Sequence, residues 1–194
     1  MLKMDYSTKI IDYCNDLRSM ITNIDTNSIS QFINLMKQAA ERGQRVYICG
    51  NGGSASTASH FAGDYNKGLK DYGFDFICLS DNLPAMMAIA NDISYDEIFR
   101  YQVKNKLNAN DIVIGISGSG NSQNIVNVLN YAKECGAYTI GVTGYNGGLV
   151  KQISDLNIHF PINDMQVVED LHLILNHMTM RILKEEKENE NFIN

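Results

Sequence analysis

The chain has 194 residues, 44% of them hydrophobic and 20% charged, with a formal net charge of −6 at pH 7. That length suits one domain with a sizeable core, and the acidic balance excludes a global basic footprint for nucleic acid or an anionic membrane surface. No apolar run approaches the roughly 20 residues that span a bilayer, and residues 1–16 mix charges with apolar side chains instead of forming a signal-peptide core. A cytoplasmic location is expected, with neither nucleic acid nor membrane as a partner.

Residues 5–23 carry Ile10, Ile11, Cys14, Leu17, Met20 and Ile21 at helical spacing. Residues 28–42 carry Ile29, Phe32, Ile33, Leu35, Met36 and Ala39, with Gly43 as a helix stop. The two leading helices either cover a face of their own sheet or pack against a partner subunit, and the pattern leaves both open. An alternation follows. Strands are expected at 45–49, 74–79, 111–116, 138–143 and 156–160. Helices are expected at 54–67, 84–91, 95–105, 122–134, 148–153 and 166–187, with a charged tail fraying from Lys184. Strands alternating with helices imply right-handed βαβ units and a parallel sheet covered on both faces. Residues 112–116 and 138–142 are almost continuously apolar, as strands buried on both sides are. Cys14, Cys49, Cys78 and Cys135 form no C-x-x-C pair and are expected to be reduced packing residues.

Two loops stand out. Gly50-Asn51-Gly52-Gly53-Ser54 follows the first strand, and Ser117-Gly118-Ser119-Gly120-Asn121-Ser122 follows the third. Each puts glycines, hydroxyls and free N–H groups where a strand ends and a helix begins. Helix N-termini carry unpaired donors and partial positive charge, and ligands of open parallel sheets bind beyond the carboxyl ends of the strands. The pair predicts a small phosphorylated ligand. His60 and Asp64 are four residues apart on an expected helix and share a face. Glu169, Asp170, His172 and His177 lie on the final helix, where Asp170 and His177, seven apart, align better than Glu169 and His177. His172, among leucines and isoleucines, reads as a packing or interface residue and His159 as structural. The run Ala85–Ala90 reads as core.

These residues, together with His60-Phe61-Ala62, Ala90-Asn91-Asp92 and Thr143-Gly144-Tyr145-Asn146-Gly147-Gly148, resemble the sugar isomerase (SIS) fold family, phosphoheptose isomerase group, from about residue 5 to 187. The resemblance implies a single SIS domain over 1–194, with N-terminal helices at about 5–43 and an α/β core at about 44–187. The fold would be a three-layer, doubly wound, flavodoxin-like α/β arrangement: a parallel five-stranded sheet flanked by helices, with the two leading helices serving oligomerisation. It implies a homotetramer with interfacial active sites, and one zinc ion per subunit at His60, Asp64, Glu169 and His177. Asp64 and His177 would be the proton-transfer pair. Asn51, Gly52 and Gly53 would touch the sugar, as would Asp64, Asn91, Asp92 and Glu169, while Ser117, Gly118, Ser119 and Ser122 would cradle the phosphate. The implied reaction converts sedoheptulose 7-phosphate to D-glycero-D-manno-heptose 7-phosphate for lipopolysaccharide or capsule heptose. The sequence departs from the family pattern in having Asp at 64 for the usual Glu, Glu at 169 for the usual Gln, and Gly68, beside Lys67, for a basic residue. Two alternatives remain: a non-enzymatic adaptor for the replication initiator on the same fold, and an isomerase of another sugar phosphate.

Overall fold

The computed structural model describes residues 4–193, with side chains as far as Glu190. Five strands, β1 (Arg45–Gly50), β2 (Asp75–Cys78), β3 (Ile112–Ser117), β4 (Tyr138–Thr143) and β5 (Leu156–His159), form one sheet in the order β2-β1-β3-β4-β5. Every pairing is parallel; Val46 lies opposite both Phe76 and Ile112, and Ile140 opposite both Ile114 and Leu156. Helices α1 (Ser7–Thr22), α2 (Thr26–Glu41), α3 (Gly53–Gly63), α4 (Leu83–Asp92), α5 (Arg100–Val103), α6 (Gln123–Glu134), α7 (Gly148–Ile153) and α8 (Met165–Ile193) flank it. This is the doubly wound α/β arrangement expected.

Burial follows strand position. β3, in the middle, is buried along its whole length, whereas β5 at the edge alternates between buried and half-buried. A period of two divides the core. Val46, Ile48, Ile112, Ile114 and Ile116 pack with Phe32, Phe61, Leu171 and Leu175 from α2, α3 and α8. Tyr47, Cys49 and Val113 pack on the other face with Phe99, Ile125, Leu129 and Val150. The chain moves from β1 outward to β2 and then returns to the far side of β1 as β3. That reversal opens a crevice at the carboxyl ends of β1 and β3.

Several boundaries differ from expectation for local reasons. The helix expected over 54–67 breaks at Gly63, and Asp64–Gly68 form a single π-helical turn. The Asn66 amide donates to the Phe76 carbonyl (2.8 Å) and accepts from the Phe76 N–H (2.9 Å), which fastens this wider turn to β2. The helix expected over 95–105 is a 3-10 turn at Tyr95–Glu97 and then the short α5. α8 continues as helix through the tail expected to fray, as far as Ile193. Its charges pair along the helix (Arg181 with Glu185 at 2.8 Å, Lys187 with Glu190 at 3.0 Å), and Lys37 of α2 reaches Glu186. Residues 1–3 and 194 of the expected single domain lie outside the described residues.

Two expectations of burial are corrected. In the run Ala85–Ala90 only Ile89 is buried, and Leu83 and Met87 are more than 60% exposed. Cys14 is exposed and so is not a core packing residue, whereas Cys49 is buried; all four thiols are free. α1 has no fully buried residue; Tyr13, Leu17 and Met20 lean on the core while Ile10 and Ile11 face outward.

Asp25 starts α2 by accepting from the N–H groups of Asn27 (3.0 Å) and Ser28 (3.3 Å). Asp25→Ala should lower the free energy of unfolding by about 1 kcal/mol at neutral pH, as measured by denaturant titration. The Ser28 and Asn27 N–H groups hold the Asp25 carboxyl below its ordinary value. Its contribution is therefore full above the unfolded carboxylate value and is lost as pH falls through the lower folded value, so the gap between wild type and variant should close under acid.

Candidate active site

The two glycine-rich loops leave adjacent strands at the same edge of the sheet, where Gly50 pairs with Ile116. Asn51 and Asn124, the latter in the first turn of α6, exchange two amide hydrogen bonds of 2.9 Å each, and the Tyr95 hydroxyl donates to the Asn51 Oδ1 (2.9 Å). The Asn51 amide, expected to contact sugar, is thus engaged in joining the two loops. Ser117 Oγ accepts from the Gly120 N–H (3.1 Å) and donates to Ser122 Oγ (3.2 Å), while Ser119 Oγ accepts from the Asn121 N–H (3.2 Å). The Ser122 hydroxyl does not cap α6, so the first-turn donors of this helix are not taken up by its own N-cap side chain. Gly120 has φ +67°, and a Cβ there would collide with the Gly147 carbonyl. Only glycine lets this loop lie so close to the Gly147-Gly148 turn. Gly118, fully packed, accepts from the Gly144 N–H at 2.9 Å.

Below the loops, α3 and α8 lie side by side, and contacts climb both helices in the same direction. Gly53 is against Glu169, Asp64 against Asn176, Tyr65 against Thr179 and Gly68 against Met180. This parallel register brings together His60, Asp64 and His177. The Nε2 atoms of the two histidines are 3.4 Å apart, and Asp64 Oδ2 is 3.3 Å from His60 Nε2. One ligand atom from each of the three side chains lies within 4.8 Å of the others. Tetrahedral zinc with bonds of about 2.0–2.1 Å sets its ligand atoms about 3.3–3.4 Å apart. The chemistry fits as well: two imidazoles and one carboxylate suit zinc and leave a fourth position for water or substrate. The imidazoles are accessible, with 45% of the His60 side chain exposed and His177 also exposed.

Glu169, expected as a fourth ligand, lies outside this group. Its carboxylate sits where a Cβ on Gly53 would be, at the start of α3. Eight residues separate it from His177, a rise of about 12 Å along the helix. Asp170, the better-aligned residue by spacing, is turned away to accept from the Tyr13 hydroxyl (2.6 Å), which raises the Tyr13 pKa to about 12. Asn91 and Asp92 end α4, exposed, and bond to each other (2.8 Å) rather than to the histidine cluster. Gly52, with φ +54°, forms the bend before α3.

His172 is fully buried beside Phe160. Burial lowers its pKa to about 4, opposed only in part by the Thr143 backbone, so it is a neutral packing residue at neutral pH. His159 is structural: its Nε2 meets the Tyr145 carbonyl (3.0 Å) and its Nδ1 meets Lys151 Nζ (2.9 Å).

Asn124, Tyr95 and Asn176 were not singled out from the sequence. For Asn176 a signal existed. His172, Asn176 and Thr179 recur at i, i+4 and i+7 on a helix whose other inward positions are apolar, and all three are fully buried. A polar stripe on the buried side of a helix calls for partners, and Asn176 finds one by donating from Nδ2 to Asp64 Oδ2 at 2.7 Å.

Comparison with known proteins shows the family and the fold. The model of the SIS domain family matches residues 11–144. The phosphoheptose isomerase of Aliarcobacter butzleri is 37% identical over 151 residues, covering 77% of this chain and 80% of the relative. That of Helicobacter pylori (strain P12) is 38% identical over 152 residues, covering 77% and 79%. Among solved structures, the phosphoheptose isomerase from Francisella tularensis superposes with a TM-score of 0.86 at 25% identity, covering 94% of this chain and all of that one. The enzyme from Neisseria gonorrhoeae gives 0.84 at 26%, covering 92% and 96%. The chain belongs to the SIS domain family and, within it, to the phosphoheptose isomerases.

Proposed function

We propose that this protein is a metal-assisted phosphoheptose isomerase that converts sedoheptulose 7-phosphate to D-glycero-D-manno-heptose 7-phosphate, for the heptose of bacterial lipopolysaccharide or capsule. The observation that carries the reading is the convergence of His60 on α3, Asp64 in the π-helical turn and His177 on α8, beside two glycine-rich loops at the same edge of the sheet. Aldose–ketose isomerisation moves one hydrogen between adjacent carbons, so it needs a base, an acid and stabilisation of an enediolate oxygen. Asp64 and His177 are the pair that takes up and returns the proton. Bound by His60, Asp64 and His177, zinc would supply a Lewis acid for the carbonyl oxygen. Ser117, Gly118, Ser119 and Ser122 hold the phosphate through hydroxyls and backbone N–H groups at the head of α6. The backbone of Gly52 and Gly53 approaches the sugar, and Asn91, Asp92 and Glu169 serve its hydroxyls.

The working form is a homotetramer with its active sites at subunit interfaces. Supporting this, α1 and α4 present Ile10, Ile11, Leu83 and Met87 to solvent in the single chain, more apolar surface than an isolated domain usually leaves uncovered. The exposed His60–His177 pair is then closed over by a neighbouring copy.

Incubation of the zinc-loaded protein with sedoheptulose 7-phosphate should yield the aldoheptose phosphate by NMR. Absence of turnover in folded, metal-loaded protein would defeat the reading, and turnover of a different ketose phosphate alone would reassign the substrate. Asp64→Asn should reduce kcat by about 10²–10⁴-fold, the usual worth of a positioned acid or base. Native mass spectrometry should give a mass near four times 21.7 kDa. Met87→Glu should lower that mass and activity together while leaving far-ultraviolet circular dichroism unchanged; a fully active monomer would refute the interfacial site.

A further inference from the structure

Asn176 is fully buried on α8. Its Nδ2 donates to Asp64 Oδ2 at 2.7 Å, while its Oδ1 is buried without a partner. An orphaned buried amide oxygen is destabilising, and an apolar residue of the same size would be the stable choice there. What the position gains from asparagine is the bond to Asp64. The adjacent residue explains why that bond is precise. Tyr65, next to Asp64 in the π-helical turn, donates to Thr179 Oγ1 at 2.8 Å, so two successive residues of the turn are registered on α8 three residues apart.

Resting on the isomerase reading above, we propose that Asn176 is a positioning residue for Asp64. Its amide donates to Oδ2, the oxygen that also lies 3.3 Å from His60 Nε2, and so fixes the carboxylate toward the two histidines while Oδ1 is left for substrate. Among the described residues, Oδ1 of Asp64 has no hydrogen-bond partner, and the Asp64 side chain is 24% exposed. Asparagine at 176 is thus kept for geometry at a cost in stability, and an apolar replacement should reveal both sides of that exchange.

The test uses the full-length protein with Asn176→Leu. The expected result is a Tm equal to wild type or about 2–4 °C higher, with kcat for sedoheptulose 7-phosphate about 10–100-fold lower and KM within about twofold. Zinc affinity, read by chelator competition, should fall over a similar range. A merely structural residue would not show stability holding while kcat and metal affinity fall. Adding Asp64→Glu to Asn176→Leu should restore at least about a third of the lost kcat on a logarithmic scale, because the longer side chain reaches the reactive position without the amide. Should leucine prevent assembly, Asn176→Ala is measured in the same way. The proposal is overturned if kcat and zinc affinity of the folded variant stay within twofold of wild type, or if Asp64→Glu gives no recovery. Should the wild-type protein not turn over the heptulose phosphate at all, the functional reading fails, and the zinc-affinity comparison alone decides the role of Asn176.

Discussion

Two helices that follow parallel strands on the same face of a sheet run side by side in the same direction, and this places α8 against α3. From that packing comes the meeting of His60 and Asp64 with His177, residues more than a hundred positions apart in the chain. The contacts advance in the same direction on both elements, from Gly53–Glu169 through Asp64–Asn176 to Gly68–Met180. Glycines at the start of α3 and at the end of the π-helical turn permit the approach. At Gly53 and Gly68 a Cβ would meet the facing side chain of α8, so glycine there sets how close the helices come.

The order of the strands sets the second half of the site. With β1 and β3 adjacent and their connections leaving in opposite directions, both strand-to-helix loops open onto one crevice. The reciprocal Asn51–Asn124 amide pair then fixes one loop against the other. A site of this kind would bind an anion through backbone donors and helix ends, which would make a chain of net charge −6 compatible with a phosphorylated ligand: the positive potential at a helix N-terminus is local and comes from peptide dipoles, not from lysine or arginine.

The site also sits where the fold accepts local cost. The helix carrying His60 widens into a π-helical turn at Asp64, a device that concentrates at functional positions. α8 buries a stripe of His172, Asn176 and Thr179, two of which leave polar atoms unsatisfied. Elsewhere the same faces are filled by leucine, isoleucine and valine. Of this stripe, Asn176 and Thr179 meet Asp64 and Tyr65, beside the candidate site.

The sequence by itself determined the layers. The apolar strand runs, the alternation with amphipathic segments and the paired glycine-rich loops were enough to specify a parallel sheet, its covering helices and the edge at which the two loops lie, because these depend on short-range periodicity. Only the tertiary structure decided which carboxylates stand with the histidines. Spacing along α8 favoured Asp170 and family likeness favoured Glu169, yet Tyr13 draws one away and the start of α3 receives the other. Likewise, only the packed chain shows that Asn51 is engaged by Asn124, that Asn176 grips Asp64, and that α4 is largely uncovered. These are contacts between elements distant in sequence, and no local pattern encodes which side chain a neighbouring helix will place opposite another.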